Sequence, residues 1–362
     1  MKTATITYHN VYNYGAVLQA YALQQAQQKL SVENVIINFS HEKNKMLHRI
    51  KGTSIKIMIV DSIRLLETIK DYIPIRRRCR RFEAFTNTKL CLTRSYKTLQ
   101  DLKENPPQAD LYLAGSDQLW NVSIVIRAAF FLDFGSPETI RASYAVSMGS
   151  CYIPEQYKKI IKEYLTKFNV ISVREMKAKE TIEALLKQEG KIKVHCDPVF
   201  LLSKEEWSDL AVPRRSKDRY ILCIPLAGHP RLNEALKKLK QLTGYRIVIL
   251  KTDVFTRVKG DYAVKDASPE EYLYLIQHAE YVLTTSFHAT AFSILFQVKF
   301  FSFLSCAATR ITSLLENLGL EDRIVEGIGD VHTGNIDYTK ANHILQEEKT
   351  SAIEYLSGLF KR

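Results

Sequence analysis

Short apolar stretches alternate with helical patterns along almost the whole chain, and this alternation restricts the fold more than any other feature. Residues 3–8 form an apolar, β-branched stretch that leads through a polar loop into a helical pattern over 16–29. After Pro198 the same rhythm starts again, with an apolar stretch at 220–225 and a helical pattern at 233–242. Strands that alternate with helices form parallel sheets covered by helices. The sequence therefore predicts an α/β fold with doubly wound parallel sheets.

The length of 362 residues predicts two domains. Pro198, Pro213 and a charged run at 214–219 interrupt the pattern near 198–215. We predict an N-terminal domain over 1–200 that carries a basic helical insertion at about 43–103. A C-terminal domain follows over 201–341, and a last helix over 342–362 packs back on the first domain. Ligands of such sheets bind beyond the carboxyl ends of the strands, so we expect a cleft between the two halves.

The formal net charge of +12 favours anionic partners. Nucleic acid is disfavoured because no reading motif accompanies the charge. The six cysteines are scattered, which is typical of reduced thiols in the cytoplasm, and no histidine pair has metal-ligand spacing. The sequence also lacks a G-x-x-x-x-G-K-[ST] phosphate loop, a G-x-S-x-G elbow and the glycine-rich dinucleotide motif. We therefore expect a cytoplasmic protein that needs neither a metal nor a cofactor.

Two polar loops follow predicted strands in the first half. The loop at 9–15 is rich in tyrosine and asparagine, and Gly15 at a helix start would let a ligand approach the backbone. Packing of this aromatic loop against the other domain is an equally good interpretation. In the second loop, Asp117 and Gln118 could bind a sugar while Trp120 supplies a stacking face. The alternative is that Ser116 or Asp117 simply caps the next helix.

Two further loops carry a cation and a histidine. Arg174 directly follows a strand, where its planar guanidinium could bind a phosphate or a carboxylate, or could pair with Glu175 or Glu180. His288 follows another strand at a helix start, a suitable place for a general acid, although a lone histidine is more often structural. Ser286 or Thr290 could cap that helix or face an anion. By contrast, Asp197 precedes a proline, which favours a turn over a catalytic carboxylate.

The basic segment at about 43–81 has two interpretations. Residues 55–69 are amphipathic, and residues 75–82 contain five arginines. Such a segment could lie on an anionic membrane surface. It could also be a solvated helix face whose arginines contact acidic residues of the same chain.

Seven sequence segments, in order along most of the chain, together resemble the polysaccharide pyruvyl transferase family. The opening "YHNVYNYGAVLQAYAL" is similar to the strand, loop and helix with which that family begins, and "DLYLAGSDQLWN" is similar to its D…GSDQ.W segment. The remaining segments are "FFLDFG…RASYAVSMG" at 130–149, "ISVRE" at 171–175, "DPVFLL" at 197–202, and the stretches at 268–296 and 310–323. The basic segment 43–81 is the part least covered by the resemblance.

The resemblance implies a GT-B-like architecture of two Rossmann-type domains. It also implies transfer of pyruvate from phosphoenolpyruvate, the donor substrate, to two hydroxyls of a sugar in a surface-polysaccharide precursor. His288 would match the proposed family acid, and Arg174 the arginine that binds the donor. Many members have arginine where this chain has Ser286, so another cation would take its place or the donor differs. The implied donor side comprises Arg174, Thr285, Ser286, Phe287, Lys265 and Arg310, and the implied acceptor side comprises Asn13, Tyr14, Gly15, Ser116, Asp117, Gln118 and Trp120.

Two other functions are compatible with the same predicted fold. One is a glycosyltransferase with a nucleotide-sugar donor, and the other is a saccharide-binding protein without catalysis. If the acceptor is linked to a lipid, the basic segment would dock the protein at the inner face of the membrane. The sequence leaves the acceptor sugar and the oligomeric state open.

Overall fold

The first sheet has five parallel strands in the order β3-β2-β1-β4-β5. It belongs to a computed structural model that describes residues 1–39, 55–122, 126–149, 151–214, 218–251, 258–304 and 309–361, with the side chains of 55–71 and 309 outside the description. The central strand is buried on both faces, as expected for a parallel sheet. The strands are β1 (Lys2–Ile6), β2 (Glu33–Phe39), β3 (Leu92–Tyr96), β4 (Leu111–Ala114) and β5 (Ile140–Ser143).

Two short strands continue beyond β5. They are β6 (Ile171–Val173) and β7 (Ile192–Val194), which pair with each other in parallel. Bridges from Ala142 to Val170 and from Val146 to Val173 join them to the edge of the first sheet. The loops after β6 and β7 therefore open on the same side as the loops after β1 and β4.

The second sheet repeats the strand order of the first. Its five parallel strands follow the order β10-β9-β8-β11-β12. In each sheet, the strands are added first on one side of the first strand and then on its other side. Ligands of doubly wound sheets bind in the crevice where this order reverses. The α/β fold predicted from the sequence is confirmed. The strands are β8 (Tyr220–Ile224), β9 (Arg246–Leu250), β10 (Tyr262–Val264), β11 (Tyr281–Thr284) and β12 (Lys299–Ser302).

Helices cover the sheets and link the two halves. Most helices of the described chain follow a strand and return the chain to the start of the next one. The helices are α1 (Tyr14–Lys29), α2 (Ile55–Lys89), α3 (Leu99–Glu104), α4 (Glu155–Leu165), α5 (Met176–Leu186), α6 (Lys204–Leu210), α7 (Leu232–Thr243), α8 (Pro269–Gln277), α9 (Phe287–Phe296), α10 (Thr309–Leu318) and α11 (Thr339–Phe360).

The two halves share one apolar cluster that runs through the region between them. Tyr14, in the first turn of α1, stacks on Tyr272 of α8 with 4.5 Å between the ring centroids. Its hydroxyl donates to the carbonyl of Ala267, 2.9 Å away. At the other end of the chain, the Tyr355 hydroxyl on α11 donates to the carbonyl of Ser143 in β5. The halves are thus held together by buried contacts, while the domain boundaries at 200 and 341 stay predictions.

The basic helical insertion predicted at about 43–103 is helical only in part within the described residues. Residues 43–54 and the side chains of the amphipathic stretch lie outside the described residues. The arginine-rich part belongs to α2, where Arg77 pairs with Asp266 at 2.9 Å and Arg81 with Glu271 at 2.5 Å. These contacts support the interpretation that the arginines meet acidic residues of the same chain. The prediction of a helical insertion up to about residue 103 was wrong beyond α2, because β3 forms the outer strand of the first sheet.

None of the helices within the described ranges combines the length and the hydropathy needed to span a bilayer.

Candidate active site

His288 lies where the crevices of the two sheets meet. It is the second residue of α9, which begins three residues after the end of β11, and the first turn of α9 is capped by Ser286 accepting from the Ala289 amide at 3.4 Å. Its side chain is only 8 % exposed. Atom Nε2 lies 3.4 Å from Oδ2 of Asp197, which belongs to the loop after β7. A residue of the second sheet therefore faces a carboxylate of the first half.

Gly15 faces the other side of the same imidazole. A Cβ atom added to Gly15 would lie 2.0 Å from Nδ1 of His288, a distance at which no side chain fits. Gly15 sits in the first turn of α1, which Asn13 caps by accepting from the Ala16 amide at 3.2 Å. Glycine is thus required at position 15 because the His288 ring lies so close to the backbone. The starts of α1 and α9 therefore meet across the cleft.

Arg174 is a buried cation between two carboxylates. Its side chain is 5 % exposed, its Nη1 donates to Oδ2 of Asp197, and its Nε donates to Oε1 of Glu175 at 3.2 Å. Burial alone would lower the pKa of Arg174, but the two neighbouring carboxylates outweigh it and raise that pKa. Nη2 is buried and has no hydrogen-bond partner among the described residues. One nitrogen of the guanidinium therefore has unused hydrogen-bonding capacity.

Asp197 is the site residue that the sequence analysis set aside. Its Oδ1 accepts from the amide of Val199 at 3.1 Å, so the predicted turn is present. Its Oδ2, however, contacts both Arg174 and His288. Burial raises the pKa of this carboxyl, yet His288 and Arg174 hold it well below its usual value. The interpretation of Asp197 as only a turn residue is corrected, because the capping oxygen and the site-facing oxygen are different atoms.

A second guanidinium completes the cationic side of the site. The guanidinium carbons of Arg174 and Arg310 lie 4.5 and 5.8 Å from the ring centroid of Phe287. The amide of Gln118, with its oxygen turned toward Arg310, accepts from both terminal nitrogens at 2.9 and 2.6 Å. Burial and the nearby charge of Arg174 lower the pKa of Arg310. Lys265 instead follows β10, at the far edge of the second sheet from Arg310.

The two site arginines border a cavity of about 310 Å³. One cluster of its wall consists of Arg174, Asp197, Phe287 and Arg310, and a second cluster includes Asn317 and Glu348. His288 does not line this cavity but lies behind Asp197. A cavity with two guanidiniums at one wall suits an anionic ligand of small size.

The family model for polysaccharide pyruvyl transferases matches residues 13–306, which is most of the chain and includes Arg174, Asp197 and His288. The chain belongs to the polysaccharide pyruvyl transferase family. The family resemblance drawn from the seven sequence segments is thereby confirmed. Among curated protein sequences, none matches this chain significantly.

Solved structures confirm the GT-B-like fold. A putative UDP-N-acetylglucosamine 2-epimerase from Listeria monocytogenes has a TM-score of 0.53 at 9 % identity, over 99 % of this chain and 90 % of its own. The UDP-GlcNAc 2-epimerase from Neisseria meningitidis, solved with UDP-GlcNAc, has a TM-score of 0.51 at 9 % identity, over 99 % of this chain and 98 % of its own. At such identities the likeness concerns the fold alone.

Three of the residues that the sequence predicted on the acceptor side are enclosed by other parts of the protein. Trp120 is 2 % exposed, stacks on Phe131 and donates from Nε1 to the Phe130 carbonyl, so its ring has no free face for a sugar. The Ser116 side chain is fully buried and donates to the Ala145 carbonyl at 2.5 Å. Tyr14 is 5 % exposed and fills the interface described above. These three predictions are corrected, because sequence cannot show which polar and aromatic groups the second half covers.

The remaining predicted residues divide between structural and site positions. Asn13 and Ser286 cap α1 and α9, and the Thr285 hydroxyl accepts from the amides of Leu226 and Ala227, both at 2.9 Å. Asp117 accepts from the Gln118 amide, and its charge lies close to both site arginines. The structure thus brings together Gly15, Asp117, Gln118, Arg174, Phe287, His288 and Arg310, and it adds Asp197 and Glu175.

Proposed function

We propose that this protein transfers the pyruvyl group of phosphoenolpyruvate to two hydroxyls of a saccharide, forms a cyclic ketal and releases phosphate. The observation that carries the proposal is the contact of Arg174, Asp197 and His288 at the meeting point of the two sheets, in a chain that belongs to this family. A histidine beside a buried ion pair supports acid–base chemistry on an anionic substrate.

The cationic wall of the cavity supports phosphoenolpyruvate as the donor. This molecule carries a carboxylate and a phosphate, and guanidinium groups bind both through paired N–H donors. Nη2 of Arg174 has no hydrogen-bond partner among the described residues, and Arg310 supplies a second guanidinium near the ring of Phe287. In this proposal Arg310 replaces the family arginine whose position is occupied by Ser286. Lys265 is given no part in donor binding.

The reaction needs one acid and one stabilised leaving group. His288 gives a proton to C3 of phosphoenolpyruvate, and C2 becomes electrophilic. The first sugar hydroxyl attacks C2, and its proton returns to His288. The bond between C2 and the phosphate oxygen then breaks, and the second hydroxyl closes the ketal while its proton leaves with phosphate. Arg174 and Arg310 stabilise the charge on the departing phosphate.

The position of His288 adds a conformational requirement to the proposal. Its Nδ1 faces Gly15 and its Nε2 faces Asp197, both in the first half, whereas His288 belongs to the second half. The proposal therefore requires that the halves separate slightly, so that a ring nitrogen can contact the donor. Such proton transfer contributes about 10²- to 10⁴-fold to the rate.

Incubation of the purified protein with phosphoenolpyruvate and a panel of bacterial surface-glycan fragments tests the proposal. We expect phosphate release that depends on the glycan, and a mass gain of one pyruvate ketal. His288→Ala should reduce the rate at least about 100-fold, while His343→Ala, an exposed histidine on α11, should leave it unchanged. Absence of phosphate release with every glycan, together with nucleotide binding, would favour a nucleotide-sugar transferase instead.

We further propose that the acceptor is linked to a lipid and that the cytoplasmic protein contacts the inner membrane face through α2. The outward surface of this helix exposes Tyr72 and Ile73 beside Arg76 and Arg80, a combination that suits an anionic bilayer surface. Flotation with phosphatidylglycerol vesicles should carry the protein upward, and flotation with phosphatidylcholine vesicles should not. Equal behaviour with both vesicles would contradict this part of the proposal.

A further inference from the structure

The second cluster of the cavity wall comes, like Arg310 of the first cluster, from the part of the chain that follows the family match. That match ends at residue 306, whereas Ser313, Asn317 and Glu348 of this cluster lie on α10 and α11. The helices therefore add to the shared site a surface that the family match does not include. A surface of this kind is suited to setting which substrate the individual protein accepts.

Glu348 is the central polar group of this cluster. Its Oε1 accepts from Nδ2 of Asn317 at 2.7 Å, which holds the carboxylate in place. Asn317 is the one hydrogen-bond donor to this carboxylate among the described residues, so most of its acceptor capacity is unused, and Glu348 lines the cavity. Burial raises the pKa of Glu348. A carboxylate in such a place is stabilised by hydrogen-bond donors, and a neutral ligand that offers hydroxyl groups supplies them without charge repulsion.

His195 adds an aromatic surface to the same cavity. Its ring packs against Tyr355 of α11 with 4.5 Å between the centroids, and its Nδ1 lies 2.7 Å from the Ser172 hydroxyl. Its pKa is lowered to about 4 by burial, so the ring is neutral at physiological pH. A neutral ring next to carboxylate and amide groups suits a hydroxylated ligand, since sugars offer both apolar faces and hydroxyl donors.

We propose that this cluster is the binding subsite for one hexose ring of the acceptor, with Glu348 accepting hydrogen bonds from sugar hydroxyls and Asn317 positioning Glu348. The inference rests on the proposed function and names where its acceptor binds. The anionic donor occupies the part of the wall with Arg174 and Arg310, where Asp197 and Glu175 are paired with Arg174, whereas Glu348 makes no ion pair among the described residues and would repel an anion. Both substrates then share one cavity, as group transfer requires.

A second cavity is the competing location for the acceptor. It has a volume of about 380 Å³ and lies beside the opening loop, where Asn10 and Tyr12 line it together with Asn87. None of the site residues Arg174, Asp197, Phe287 and Arg310 lines that cavity. A sugar bound there would not share a cavity with the proposed donor, so we favour the cluster with Asn317 and Glu348.

Saturation-transfer NMR with methyl hexosides as probes tests the subsite without relying on turnover. The panel contains the methyl glycosides of glucose, galactose, mannose and the N-acetylhexosamines, each titrated against the full-length protein. We expect at least one probe to bind, and Glu348→Gln to weaken it about ten- to a hundredfold, which is the loss of a hydrogen bond to a charged group. Glu347→Gln is the matched control, because this neighbouring carboxylate is exposed on the same helix.

Each outcome of this experiment decides the inference. Equal affinity in wild type and Glu348→Gln, loss of binding in Asn10→Ala but not in Glu348→Gln, or no binding of any probe to wild type would overturn it. Glu348→Gln removes a partly buried charge and keeps the volume, so a folded variant is expected, and circular dichroism checks it. If the probes bind as expected but phosphoenolpyruvate releases no phosphate, the proposed donor is wrong and the saccharide subsite stands.

Discussion

Substitution of Gly15 by alanine tests the closest contact of the site. The added Cβ would lie 2.0, 2.2 and 2.7 Å from Nδ1, Cγ and Cβ of His288, whereas ordinary contact begins at 3.4 Å. All three neighbours belong to one side chain, so the imidazole and the start of α1 must separate. The required displacement is about 1.4 Å, the difference between 3.4 and 2.0 Å.

Two opposing effects determine the stability of Gly15→Ala. Extra volume in a packed place costs about 1–3 kcal/mol. Alanine in place of glycine in a helix returns about 0.5–1 kcal/mol. We therefore expect the free energy of unfolding to fall by about 1 kcal/mol. Activity should fall far more, because a misplacement of about 1 Å at a catalytic group can cost about 100-fold.

The assay compares urea unfolding and phosphate release for two glycine variants. Gly358→Ala is the control, because Gly358 lies within α11 and has open space around its Cβ position. It should gain about 0.5–1 kcal/mol in stability and keep full activity. If Gly15→Ala behaves in the same way, the close contact between α1 and His288 does not exist as described.

Three further predictions follow from the charged and titrating groups. Arg174→Gln leaves two buried carboxylates without their cation and should reduce the free energy of unfolding by about 3–5 kcal/mol. Arg219→Gln, which removes an exposed pair, should cost less than about 1 kcal/mol, and equal losses in urea unfolding would contradict the burial argument. His195 has its pKa lowered to about 4, below the unfolded value of about 6.5, so its stabilising effect is complete above pH 6.5 and is lost as the pH falls toward 4. His195→Gln should flatten the stability profile in that window, and an unchanged profile would contradict the assignment. Glu271→Gln should weaken the attachment of α2, with a loss in thermal stability that shrinks at about 1 M salt, and a salt-independent loss would speak against ion pairing.

The sequence predicted the buried elements of the fold better than its edges. Strands such as β8 and β11 are nearly continuous apolar runs because they are covered on both faces. The edge strand β3 has the sequence LTRSY and is largely uncovered, so its polarity is that of a loop. The three-residue strand β10 gives too short a pattern to stand out. Both strands join their sheets through backbone hydrogen bonds, which the side chains do not reveal.

The sequence predicted those site residues that lie just after a strand, because such positions in an α/β fold often carry function. Arg174 and His288 both follow strands whose carboxyl ends open on the cleft. Asp197 was missed because the capping pattern of one carboxylate oxygen gives no information about the other. Trp120 and Tyr14 were assigned to a ligand because aromatic loops bind sugars and fill interfaces with the same residues. Only the packing of the second half distinguishes these roles.

The ring of Phe287 has a consequence for which anions the site can select. A guanidinium presents a flat face and an edge of N–H donors, and stacking on an aromatic ring occupies the face. The guanidiniums of Arg174 and Arg310 both lie near this one ring, and Asp197, Glu175 and Gln118 accept from part of their N–H edges, so a ligand meets only the N–H groups that remain. Recognition is then directional and confined to two planes. A lysine at either position would keep the charge but lose the plane, and with it the ability to discriminate between anions by shape.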